Sequence, residues 1–211
     1  MVEDMREYLQ NTRMLNFHHR DIRAKVQSLL TFSLSGKEKI QRLYTFVSSL
    51  PLGYNAGDTI PASSVLHDGY GQCNTKVTLL MALARAAQIP CRVHCYRITR
   101  EAQRGRAPDW VLRFAPEVTV FTWPSFFVNG VWKDLQEVVH IESREWNSCP
   151  FDGAAWQLQP LKPEWIVYDD GIWPSQDDYF KKHKPTVHGW RAIGWHVLGR
   201  AAMNKHARRS C

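Results

Sequence analysis

No stretch of the chain approaches the run of ~18 apolar residues that a membrane-spanning helix needs, so no bilayer span is expected. The opening residues, MVEDMREYLQ, lack a basic n-region and an apolar h-region; no secretory signal is expected, and a cytoplasmic location is the default. Cysteine is scarce. The five present (Cys73, Cys91, Cys95, Cys149, Cys211) are odd in number and form no CxxC pair, which argues against a disulfide scaffold and a structural zinc site. Histidines are scattered, with only His18 and His19 adjacent, so the chain shows no ligand spacing for a metal and no case for an organic cofactor. Neither an aromatic RNA-binding motif nor a zinc-finger spacing accompanies the net charge of +7, so nucleic acid is not expected as a partner. Repeats and low-complexity linkers are lacking too, and the 211 residues read as one domain.

What is present is ordinary in bulk and uneven in detail. Hydrophobic residues make up 44% and charged residues 22%, values typical of a globular domain. Nine tryptophans fall between Trp110 and Trp195. Much of the basic excess lies in residues 181–211, which carry Lys181, Lys182, Lys184, Arg191, Arg200, Lys205, Arg208 and Arg209; a solvated terminal helix accounts for them.

Residues 1–60 read as helical in their first fifty positions. DIRAKVQSLL places Ile22, Val26, Leu29 and Leu30 on one face, and SGKEKIQRLYTFVSSLP opens with the capping-box pair Ser35 and Glu38 before Ile40, Leu43, Tyr44 and Val47 follow at helical spacing. Residues 52–68 read as loop. The next helix begins near Cys73, repeats Val77, Leu80, Met81 and Ala84, and stops before Pro90, after which CRVHCYRI (91–98) reads as a strand with Cys91 and Cys95 buried. Residues 99–116 read as a surface loop or short helix. EVTVFTWPSFFVNGVWKDLQEVVH (117–140) reads as a hairpin turning at Asn129-Gly130, the pair preferred in a type I′ turn. Pro124 cannot donate to a ladder, so its strand is expected to be an edge, or bulged, at that point. Residues 141–176 read as irregular, and a final helix starts near Asp177. Helices first, then a mostly antiparallel sheet, then a helix is an α+β pattern.

One stretch carries chemistry. In GYGQCNTK (69–76), Gly69 and Gly71 allow a tight turn and place Cys73 at the start of the apolar helix. Unpaired N–H groups and the macrodipole there stabilise a thiolate, and the same groups can hold an oxyanion. Local physics alone leaves this reading level with that of an inert helix-start cysteine.

ASSVLHDGYGQCNTKVTLLMALARAAQIPCRVHCY (62–96) resembles the core signature of the transglutaminase-like superfamily of papain-like cysteine enzymes, in its short stand-alone bacterial form. WPSFFVNGVWKDLQ resembles that family's next segment, close to H-x-W-V-E-V-Y-x-N-G-x-W-x-x-L-D/E. The resemblance implies N-terminal helices, a nucleophile helix packed on an antiparallel sheet in 61–140, and a Cys-His-Asp/Glu triad. Cys73 stands in the nucleophile place. Phe121 occupies the histidine place and Gln136 the carboxylate place, so two of three triad members are replaced.

Two histidines are substitute candidates. If strand pairing continues past Trp132, Phe121 lies opposite Val138 and Trp123 opposite Gln136, which sets His140 diagonal to Phe121. His94, in the strand after the cysteine helix, is the second, with a satisfied core histidine as the plain reading. Asp134 shares the hairpin face and is placed to meet Ser125. Gln72, Trp123, Phe127, Trp132 and Asp134 are expected to line the cleft.

These features imply a cysteine-dependent acyl-transfer or cyclisation enzyme with a non-standard triad. Its expected substrate is a small-molecule or carrier-protein-bound ester, thioester or amide of specialised metabolism, rather than a protein. The alternative is a repurposed or non-catalytic domain that binds an apolar ligand or protein partner in an aromatic cleft.

Overall fold

The computed structural model describes residues 4–103, 116–139, 163–183 and 204. The helical first third forms as its patterning dictates. α1 (Arg20–Leu29) buries Ile22 and Val26. α2 (Gly36–Ser49) opens with the full capping box, the Ser35 hydroxyl accepting the Glu38 N–H while the Glu38 carboxylate accepts the Ser35 N–H, and buries Ile40, Leu43 and Val47. Such a cap is worth about 1 kcal/mol. Within the stretch expected to be loop, Ala62–Asp68 forms a further helix, α3. Its seven residues are too few for helical periodicity to stand out, but Ala62 and Val65 are buried against the core.

α4 (Cys73–Ala86) is the axis of the domain, with every residue from Asn74 to Arg85 buried. It is apolar nearly all round because α1, α2, α3 and the sheet pack on it from different sides. The sheet has four strands in the order β3-β2-β1-β4: β1 (Cys91–Thr99), β2 (Val118–Val128), β3 (Val131–Asp134) and β4 (Ile166–Trp173). All pairings are antiparallel, as an α+β domain requires. In β1 the odd positions Cys91, Val93 and Cys95 are buried, and the Cys91 thiol lies against the Met81 carbonyl of α4. Burial pushes both the Cys91 and the Cys95 thiol up, as inert core sulfurs behave.

The hairpin turns at Asn129-Gly130, with φ of 54° and 81°, and pairs Val128 with Val131 through to Ser125 with Asp134. There the expected pairing stops. Leu135–Val139 is a short helix, α5, so Val138 does not face Phe121 and Gln136 does not face Trp123. Leu135 and Val138 are buried at a three-residue spacing, which a strand would send to opposite faces.

β4 and α6 (Gln176–Lys182) complete the described core in a region read from sequence as irregular up to Gln176. β4 adds to β1 with two register shifts, which blunt its alternation. The two ends of the described core meet here. Asp177 of α6 accepts from the Thr12 hydroxyl and the Met14 N–H, while the buried Arg85 donates to the carbonyls of Gln10, Cys91 and Pro174.

Candidate active site

Cys73 is the first residue of α4 and is half-buried. Gln72, the N-cap, has extended backbone and makes no side-chain cap hydrogen bond. Its amide is engaged elsewhere, accepting the Asn55 N–H at 2.9 Å and donating to Asp58 Oδ1 at 2.5 Å. Gln72 therefore leaves the first-turn N–H groups of α4 uncapped, and the positive end of the helix dipole lies at the thiol.

The backbone before Cys73 is locked by the loop at residues 51–58. The Asn55 side chain donates to Asp68 Oδ2 at 2.8 Å and to the Tyr70 carbonyl at 3.1 Å, and accepts the Thr75 hydroxyl at 2.6 Å. Asn204 clasps the same loop, its amide accepting the Tyr54 N–H at 2.7 Å and donating to the Tyr54 carbonyl at 3.2 Å. Gly71 must be glycine for this approach, since a Cβ there would meet Thr75 Oγ1 at 2.9 Å and Lys76 Cγ at 3.1 Å.

The first turn of α4 docks on the open edge of β2. The Phe127 N–H donates to the Pro90 carbonyl, so odd positions of β2 direct their backbone groups toward β1 and even positions toward the β3 side. β3 ends at Asp134, opposite Ser125. Pro124 therefore has its missing N–H on the side β3 has vacated, which resolves the difficulty it posed in sequence. The Val120 carbonyl points out at the same open edge and accepts the Asn74 side-chain N–H at 2.8 Å.

Thr122, not Phe121, is the β2 side chain hydrogen-bonded to this turn. Its hydroxyl donates to Asn74 Oδ1 at 3.1 Å, and Cys73 Sγ lies 4.0 Å from that same oxygen. Gln176 of α6, fully buried, donates to the Thr122 hydroxyl at 3.0 Å and to the Asn74 carbonyl at 3.2 Å, and accepts the Thr78 hydroxyl. Asn74, Thr122, Gln176 and Thr78 form a buried network of amides and hydroxyls that neither gains nor loses protons near neutral pH. A buried cation follows on the same helix. Lys76, three residues after Cys73 and fully buried, donates its Nζ to the Leu50 carbonyl at the end of α2. Burial lowers its amine from 10.5 to about 8, and the neighbouring Cys73 charge opposes that drop.

The other expected residues fall elsewhere. His94 lies on β1, so the width of β2 stands between it and the open edge that holds the first turn of α4. Its Nε2–H donates to Asp169 Oδ1 of β4 at 2.6 Å, its Nδ1 accepts the Tyr96 hydroxyl at 2.9 Å, and its ring stacks on Tyr96. The hydrogen bond holds Asp169 below the usual carboxylate value, while burial and the Asp169 charge push Tyr96 up to about 12. Asp134 does face Ser125 and is raised by burial and by Glu137. Gln136 is exposed on α5. His140 lies outside the described residues. Phe121 and Trp123 stack at 6.2 Å, and Phe127 and Trp132 meet edge to face at 5.4 Å, making an aromatic row on the odd face of β2.

Sequence reasoning passed over Asn74, Thr122, Gln176 and Lys76. The signal for two of them was in plain view, since QCNTK puts polar groups all round the first turn of an apolar helix. Gln176 had no local signal.

No curated protein sequence is significantly similar to the chain. Two solved structures are similar in fold, each named a "putative" protease. The Cytophaga hutchinsonii cysteine protease superposes with a TM-score of 0.54 at 12% identity, covering 84% of this chain and 50% of that one. The Parabacteroides distasonis protease gives 0.41 at 14% identity, over 62% of this chain and 26% of that one. The chain thus spans half the length of the first neighbour or less of the second, and the first likeness speaks to fold alone. Residues 23–158 match the family model of the transglutaminase-like superfamily, whose nucleophile helix, strand and hairpin are α4, β1 and β2–β3 here; the chain belongs to that superfamily.

Proposed function

We propose that the protein is a cysteine-dependent acyl-transfer or cyclisation enzyme, acting on a small-molecule or carrier-bound thioester, ester or amide rather than on proteins. The observation that carries this reading is the half-buried Cys73 thiol at an α4 N-terminus that Gln72 leaves uncapped. The thiolate adds to the substrate carbonyl carbon, forming a C–S bond, and the oxyanion is held by first-turn N–H groups. Collapse expels the substrate's leaving group and leaves an acyl-enzyme. Water, an amine or an internal carbon nucleophile then attacks the acyl carbon, gives up its proton to solvent and releases the Cys73 thiolate.

The neutral network beside the thiol favours a thioester among these donors. A departing amine must be protonated, the task of the family's histidine, whereas a departing thiolate needs no general acid. His140 is a further proposal for a base. The net charge of +7 suits an acidic carrier protein.

A second reading rests on the aromatic row. Phe121, Trp123, Phe127 and Trp132 suit an apolar or planar ligand, with no chemistry asked of Cys73.

Incubation with acyl-N-acetylcysteamine thioesters followed by intact mass measurement separates the two. An acyl adduct on wild type that is lost in Cys73→Ala is expected. Absence of any adduct from a protein whose Cys73 still reacts with iodoacetamide overturns the enzymatic reading.

A further inference from the structure

A fully buried lysine is costly, and Lys76 is the buried cation of the described site that acyl transfer as proposed above leaves unused. Its position is built from three sides. The Cγ methylene packs so closely under Gly71 that a Cβ at residue 71 would come within 3.1 Å. The Nζ donates to the Leu50 carbonyl, at the C-terminal and therefore negative end of α2. Cys73 lies on the same face of α4, one turn back, where residues three apart are neighbours. Asp58 and Asp68 accept from Gln72 and Asn55 beside this first turn. The Leu50 carbonyl accepts one of the ammonium protons, and the cation it holds belongs to a residue one helical turn from the thiol.

We propose that Lys76 is the counter-charge that holds Cys73 as a thiolate, taking over the electrostatic part played in this superfamily by a histidine, whose place in the hairpin Phe121 fills. Lys76 is a positioning residue in this scheme and makes no contact with substrate. Ionisation of Cys73 breaks the S–H bond and passes the proton to water; Lys76 keeps its three protons throughout. The pair forms an ion pair within one helical turn, at a helix end that already favours negative charge. The electrostatic influence of Cys73 on the Lys76 amine is the reciprocal face of the same coupling. Reactivity supported this way has an upper limit in pH, because the ammonium disappears as pH rises through about 8.

The inference rests on the acyl-transfer reading for its purpose but not for its test, because alkylation needs no substrate. The rate of Cys73 alkylation by iodoacetamide is measured against pH for wild type, Lys76→Met and Lys76→Arg, each checked for a cooperative melt. In Lys76→Met the alkylation curve is expected to move up by about one pH unit or more, a loss of ~10-fold in rate near neutral pH. Lys76→Arg, which keeps the charge, is expected to restore the wild-type curve below pH 8 and to extend it above. A curve unchanged in folded Lys76→Met overturns the proposal. If that variant does not fold, the reciprocal measurement decides. The Lys76 amine is titrated by NMR of ¹³C-labelled lysine in wild type and in Cys73→Ala; its midpoint is expected to fall when the thiolate is removed, and an unmoved midpoint overturns the proposal. A thioester that leaves no adduct counts against acyl transfer, and leaves the alkylation result to judge Lys76 by itself.

Discussion

Two polar regions meet the sheet of this protein, and they differ in kind. At the open edge of β2, beside the thiol, the network of Asn74, Thr122, Gln176 and Thr78 is neutral throughout. At the β1–β4 seam the groups are acids and bases. Asp169, His94 and Tyr96 are linked in a row, and Asp170 accepts a two-pronged hydrogen bond from Arg97 at 2.8 and 2.9 Å together with the Tyr179 hydroxyl at 2.8 Å. The seam looks like catalytic equipment when its residues are read one by one. Its groups bond to each other across two strands, and the width of β2 lies between it and the turn that carries Cys73. A carboxylate–imidazole pair is therefore no mark of a catalytic centre unless it reaches the atom that reacts. What stands beside Cys73 is a buried cation and a set of amides, which suit charge stabilisation better than proton transfer.

The contrast can be broken at either end. The largest effect is expected at the thiol itself, where Cys73→Ala abolishes acyl-adduct formation outright by intact mass. Next comes Lys76. Its amine is lower in the folded chain, about 8, than the 10.5 of the unfolded chain, so between those values the unfolded state holds a proton the folded state lacks. Stability rises with pH across that window, and denaturant titrations should show wild type gaining on Lys76→Met by up to about 3 kcal/mol from pH 8 to 10.5. Gln176→Leu deprives Thr78 and Thr122 of a buried partner and should cost about 2 kcal/mol of unfolding free energy, read from the same titrations. The smallest effect is expected at the seam. Asp169 is more than half exposed, so His94→Phe should cost under about 1 kcal/mol and leave the pH profile of Cys73 alkylation where it was. A shift in that profile would join the two regions after all.

Much of the fold was legible because it follows from local rules. Ser35 and Glu38 announced α2, Pro90 closed α4, and Asn129-Gly130 placed the hairpin and its register as far as Asp134. The misses came where a tertiary contact overrode a local pattern. α5 replaced the end of a strand because Leu135 and Val138 pack inward together, and β4 was hidden by two register shifts. At the site, the place of Cys73 at the start of α4 was legible from its motif. That Thr122 is the residue of β2 which meets the first turn was not, because it depends on which edge of the strand α4 approaches. One position along a strand reverses the side-chain face, so a motif matched correctly along the chain can still misplace its partner in space.

The Asn204 clasp on Tyr54 has a temporal consequence. Its two hydrogen bonds join residues 150 apart. Translation at about 5–20 residues per second puts roughly 8–30 s between the appearance of the two. The helices and the hairpin can gather before Asn204 has been made, but this fastening cannot. The loop that braces the thiol is thus closed late, by a residue made after every helix and strand of the described core.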